Sequence, residues 1–146
     1  MSDVRGEIMD KYDVERFNKV HLWLGINFIE EEEYLKYFKI DYSSDYEIDD
    51  PQYPVCQFCV DVGERWYDED FIGIISRKPT LVHVDAMLGD SAIDRSEWNR
   101  VKAICASLGI MKMNAMFWYS DGSLQIPMPL KESYNGLRYV GLFEGE

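Results

Sequence analysis

The apolar positions of "KVHLWLGIN" alternate, with Val20, Leu22, Leu24 and Ile26 on one side and His21 and Trp23 on the other, which predicts a strand ending near Gly25. In "NFIEEEEYLKYFK" the pattern becomes helical. Asn27 with Glu30 three residues on fits a capping box, four glutamates suit the positive end of a helix dipole, and Lys36 and Lys39 suit its negative end. The expectation is a helix of about three turns, with Glu32 placed to pair with Lys36.

Pro51 and Pro54 then interrupt regular structure. "VCQFCVDVG" reads as a short helix closed by Gly63, and "ERWYDEDFIGIIS" passes from an aromatic and acidic cluster into a β-rich run from Phe71 to Ile75. A further helix is expected around "TLVHVDAML". The best-defined helix is "IDRSEWNRVKAICASLG": Asp94 and Glu97 form a cap pair, Trp98, Val101, Cys105 and Leu108 recur at helical spacing with Ile104 beside them, and Gly109 is the stop. Its apolar face is expected to cover a sheet made by "NAMFWYS", "SLQIP" and "LRYVGLF". Asp121-Gly122 signals a hairpin between the first two, and the first is apolar on both faces, as a central strand would be. The fold class is α+β, one domain over residues 1–146, a mainly antiparallel sheet with helices packed on it.

Composition changes this picture in one respect. With 47% apolar and 14% aromatic residues the chain buries enough to fold despite a net charge of −12, but that charge is uneven. Residues 1–70 carry 19 Asp or Glu against 7 Lys or Arg, and residues 71–146 carry 8 against 8. Such asymmetry disfavours nucleic acid, whose phosphates it repels, and favours a cationic protein surface or a cation. No stretch has the apolar run of a signal peptide or a membrane helix, so no membrane role and a cytoplasmic location are expected. Three cysteines, an odd number without an export signal, are expected to be reduced thiols of the interior.

The acid is concentrated in "IDYSSDYEIDDPQYP", residues 40–54, where five carboxylates lie among three tyrosines and two prolines with no basic residue. Read as a calcium loop, "DYSSDYEIDD" lacks the glycine at position 6 and the glutamate at position 12, where Gln52 stands. Cys56 and Cys59 have a C-x-x-C spacing, which zinc and redox sites share with pairs of small buried side chains. The only other candidate ligands among Cys and His are Cys105, His21 and His83, with no second pair, so the core reading is preferred and no metal or cofactor is expected. His21 interrupts an apolar strand and His83 sits on an expected helix; both read as structural. No phosphate loop, G-x-S-x-G or H-E-x-x-H is present.

Taken in order, "VHLWLG", the "EEEYLKYF" helix, "CQFCVDVGERWYDEDFI", "MNAMFWY" and "LRYVGLF" resemble the bacterial immunity protein 22 family over about residues 20–143. The most specific pieces are Trp23-Leu24-Gly25, the "WYDEDF" block from Trp66 to Phe71, and the aromatic strand opened by Asn114. The resemblance implies an α+β protein, encoded beside a polymorphic toxin, that protects the producing cell by binding the toxin domain.

On this reading the acidic segment steers a basic toxin surface, with Asp41, Asp45, Glu47, Asp49 and Asp50 as charges and Tyr42 and Tyr46 as anchors. Trp66, Tyr67, Asp68, Glu69 and Asp70 form a second acidic and aromatic patch. Two alternatives stay open: a small hydrolase using the carboxylates at Asp68 to Asp70, which requires a concave pocket around Trp66, and a general acidic protein-binding module.

Overall fold

The computed structural model describes residues 15–146. Its centre is β1 (Lys19–Gly25), in which six successive residues are buried. Such a run needs cover on both faces, and the chain supplies it. β1 lies between β5 (Ala115–Tyr119) and β6 (Leu137–Glu144), both antiparallel to it, while β2 (Ile72–Ile74) pairs with the far side of β5. The sheet order is therefore β2-β5-β1-β6, and β3 (Val82–His83) pairs separately with β4 (Lys112–Met113).

Alternation along β1 divides the interior in two. Trp23 points to one face, where it meets Phe117, Tyr134 and Tyr139 together with Tyr37 and Phe38 beyond α1 (Glu31–Lys36) and Phe58 of α2 (Gln57–Val62). Val20, Leu22 and Leu24 point to the other, covered by Met87 and Leu88 of α3 (Val84–Leu88) and by Val101 and Cys105 of α4 (Trp98–Ser107). The first core is aromatic: Trp23 stacks on its cross-strand partner Phe117 with centroids 4.8 Å apart, and Phe58 meets the Trp23 ring edge-on. Gly25 lies where these strands come closest. A Cβ there would sit 2.8 Å from Leu137 Cα and 3.0 Å from Gly136 O, so the close approach of β6 excludes any side chain.

The long edge strand β6 is protected at both ends. Tyr134 pairs with Leu137 at its start, and at its end Arg100 donates to Leu142 O, Asp94 N donates to Glu144 O, and Glu97 Oε2 accepts from Glu144 N. Among the described residues no helix is long and apolar enough to cross a membrane.

Several local expectations are corrected. "SLQIP" is not a strand, because both edges of β5 are already taken by β1 and β2; Leu124 instead tucks into the aromatic core. Asp121 turns the chain by accepting from Ser123 N and Oγ, and two bonds from Arg16 of 2.8 and 2.9 Å hold its carboxylate. Asn27 does not cap a helix: its Oδ1 accepts from Ile29 N and Arg77, and α1 starts only at Glu31, with six residues and no side-chain cap. Glu32 and Lys36 form no ion pair. Ile26 lies past the end of β1 and is exposed. Asp94 caps the 3-10 turn Arg95–Glu97 through Ser96 N, whereas Glu97 reaches across to β6 and Arg100 instead of completing a cap pair. Around "TLVHVDAML" only Val84–Leu88 is helical, and His83 is its exposed N-cap residue.

Candidate functional site

The segment 40–54 has no regular structure, yet it is built from local bonds. Asp41 Oδ1 accepts from Ser43 N and Oγ, Ser44 Oγ accepts from Tyr46 N, and Asp50 Oδ1 accepts from Gln52 N, so short polar side chains stand in for backbone partners at three successive turns. The bonds from Ser43 hold the Asp41 carboxyl below its usual pKa. Arg65 then fastens the loop from outside. Its guanidinium donates to Ile48 O and Asp50 O and lies over the Tyr53 ring.

Arg65 binds carbonyls, so it organises the loop without forming an ion pair and sets one positive charge beside five carboxylates. No basic side chain among the described residues forms an ion pair with Asp41, Asp45, Glu47, Asp49 or Asp50, nor with Asp68, Glu69 or Asp70. The two acidic segments meet. Tyr42 OH donates to Glu69 Oε1, and that bond raises the Tyr42 phenol pKa. Tyr42 is 66% exposed and Trp66 42%, and Tyr46 and Ile48 add exposed apolar area among the acids. Gly63, with φ of 75°, ends α2 in the left-handed conformation and turns the chain toward Arg65 and Trp66.

Tyr67 leaves this surface. It is only 4% exposed, its ring packs edge-on against Phe58, and its hydroxyl donates to Phe38 O; burial pushes its phenol well above the ordinary value. The heptad-free block "WYDEDF" gives no periodicity from which to tell Trp66 from its neighbour. Asp68 is half-buried, its Oδ1 accepting from Asp70 N and its own amide donating to Tyr119 OH, while Glu69 and Asp70 are exposed.

A cavity of about 300 Å³ does border Trp66, and Asp68, Asp121 and Arg16 also line it. Both aspartates already accept internal hydrogen bonds there, Asp68 from Asp70 and Asp121 from Arg16 and Ser123, so the pair is arranged as turn and ion-pair acceptors. Among the described residues no three His, Cys, Asp or Glu side chains converge as a metal site requires.

A larger cleft, of about 990 Å³, opens under the start of the acidic loop, lined by Tyr37, Ile40, Asp41, Tyr42, Cys56 and Gln57 among others. Two of its lining residues, Tyr37 and Gln57, are tied to a buried carboxylate that the sequence pattern did not single out. Asp61, buried, accepts from Tyr37 OH at 2.7 Å and Gln57 Nε2 at 2.9 Å and forms an ion pair with Lys131. Burial first, and the bond to Asp61 second, push the Tyr37 phenol far above its ordinary range. The only signal for Asp61 was its place in the short α2 helix, two residues after Cys59. Cys59 and Cys105 are buried as expected, but Cys56 is only partly so. His21 is 3% exposed, with Nδ1 at 2.7 Å from Tyr139 OH, and burial lowers its pKa to about 4.

No curated protein and no solved structure matches the chain. The family model for Immunity protein 22 matches residues 20–146, from β1 to the end of the chain. The chain belongs to the Immunity protein 22 family, and its general role is therefore immunity, which implies a toxin protein as partner.

Proposed function

We propose that this chain binds and neutralises a cognate bacterial toxin domain stoichiometrically, without catalysis, through the joined acidic and aromatic surface. Asp41, Asp45, Glu47, Asp49 and Asp50 with Glu69 and Asp70 steer a basic toxin surface, and Tyr42, Tyr46 and Trp66 anchor it. The observation that supports the reading most is the Tyr42 to Glu69 bond, because it joins two acidic segments whose carboxylates form no ion pair with a basic side chain among the described residues. Arg65 supports it by holding the loop in shape beforehand, which reduces the ordering cost of binding.

A nuclease is the toxin class that best fits this charge, since its site must be basic to hold phosphates. The proposed compartment is the cytoplasm, where three free thiols stay reduced. Co-purification of the tagged chain with the toxin encoded beside its gene tests the reading. A one-to-one complex that abolishes toxicity is expected; a toxin that remains active at saturating chain would refute neutralisation.

A further inference from the structure

The pair at Cys56 and Cys59 is divided between surface and core. Cys56 is the N-cap residue of α2, partly exposed, and lines the cleft under the acidic loop. Cys59, one helical turn on, is 1% exposed and packed into the aromatic core beside Phe58 and Val62. The two residues are three apart across the first turn of α2, which brings their side chains to one side of the helix. Each is a free thiol. The arrangement separates the two roles of thiol–disulfide exchange, with one sulfur that a small molecule can reach and a second that only the first can reach.

We propose that Cys56 and Cys59 form a dithiol that exchanges with small-molecule disulfides and closes to an intramolecular disulfide at the wall of the cleft. The Cys56 thiolate attacks one sulfur of the disulfide R–S–S–R; that S–S bond breaks, and one R–S⁻ leaves and takes up a proton. Cys59 then loses its proton and attacks the Cys56 sulfur, which breaks the mixed disulfide and releases the second R–S⁻, protonated in turn. The protein dithiol is oxidised by two electrons, the small disulfide is reduced, and two R–SH are formed.

Electrostatics favour this order. The Cys59 thiol, first, and the amides of Cys59 and Phe58 bring the Cys56 pKa below the usual thiol value against an opposing effect of burial, which raises its thiolate share. Sharing its proton with Cys56 and burial push the Cys59 thiol far upward, which keeps it in reserve until Cys56 has reacted. Cys105, alone in the other core, is raised to about 11 by burial and serves as an internal control. The exchange does not depend on any toxin.

The test uses the reduced full chain and oxidised glutathione near neutral pH, quenched with acid and read by intact mass and alkylation mapping. The wild type is expected to lose two hydrogens, with Cys56 and Cys59 blocked and Cys105 free. Cys59→Ser is expected to stop with one glutathione on Cys56, and Cys56→Ser to take none at Cys59. A wild-type chain that keeps the glutathione adduct, or that remains fully reduced while glutathione disulfide is in excess, would overturn the proposal.

Discussion

The side chain of Asn114 closes a two-bond ring with the backbone of Asn27: its Oδ1 accepts from Asn27 N and its Nδ2 donates to Asn27 O, each at 2.8 Å. Both residues are buried just beyond the paired ends of β1 and β5, where the ladder would otherwise leave the Asn27 amide unpaired. The Asn114 backbone also donates to Gly25 O and accepts from Lys78 N. Two of the three most specific sequence signatures, Trp23-Leu24-Gly25 and the strand opened by Asn114, thus meet at one junction. Asn114→Ala strands the buried Asn27 amide, while Arg77 still reaches the Asn27 carbonyl, and should cost about 1–3 kcal/mol, read as a lowered denaturant midpoint at unchanged m-value. Asn114→Asp loses the donor and should cost at least as much.

At Gly25 the constraint is steric. Gly25→Ala places a methyl 2.8 Å from Leu137 Cα, backbone that cannot swing aside as a side chain would. A loss of roughly 2 kcal/mol or more is expected from thermal or chemical unfolding, and a near-neutral result would show that β6 is free to retreat.

Acid should unfold the protein in a defined window through His21. Burial lowers its folded pKa from 6.5 to about 4, partly offset by the carbonyls of Leu124 and Asp121 and the Asp121 charge. A depressed histidine means that the unfolded chain binds the proton first, so the stabilisation is complete above pH 6.5 and is lost as pH falls toward 4. The loss over that interval is on the order of 3 kcal/mol. Unfolding midpoints measured across the window should decline in the wild type and flatten in His21→Gln. Below it, protonation of Asp121, whose carboxyl Arg16 and Ser123 hold low despite burial, removes further stability.

Asp61 ties α2 to the segment bearing Lys131. Asp61→Ala leaves the buried Tyr37 hydroxyl without its acceptor and should cost about 2 kcal/mol, whereas Lys131→Met, removing a half-exposed charge, should cost under about 1 kcal/mol. Equal losses in the two variants would place the energy in the ion pair instead.

The alternation of β1, the apolar run of β5 and the spacing of α4 were legible because each element buries a regular stripe or a whole strand. What failed was local polar chemistry whose partners are distant in sequence. Asn27 has the residue type and spacing of a cap, yet Asn114, Asn135 and Arg77 claim its atoms. "SLQIP" alternates like a strand but finds no free edge. At the site, the acidity of residues 41–50 was plain, but the inward turn of Tyr67, the grip of Arg65 on the loop carbonyls and the buried bond between Asp61 and Tyr37 all arise from tertiary packing.

Anchoring and steering should separate kinetically. Trp66→Ala should leave the association rate with the toxin within about twofold and raise the dissociation rate roughly tenfold or more, as measured by surface-bound kinetics. A variant that dissociates like the wild type would remove Trp66 from the interface.

The most direct measurement is the association rate of the chain with its adjacent-gene toxin as a function of salt, for the wild type and for Asp45→Lys, Glu47→Lys and Asp49→Lys combined. These three side chains are exposed and lie outside every ion pair described, so the fold should tolerate the change. The wild-type rate should fall steeply with salt, and the variant should be at least about tenfold slower at low salt with a flattened dependence. Equal rates and equal salt slopes in the two proteins would contradict capture through the acidic surface.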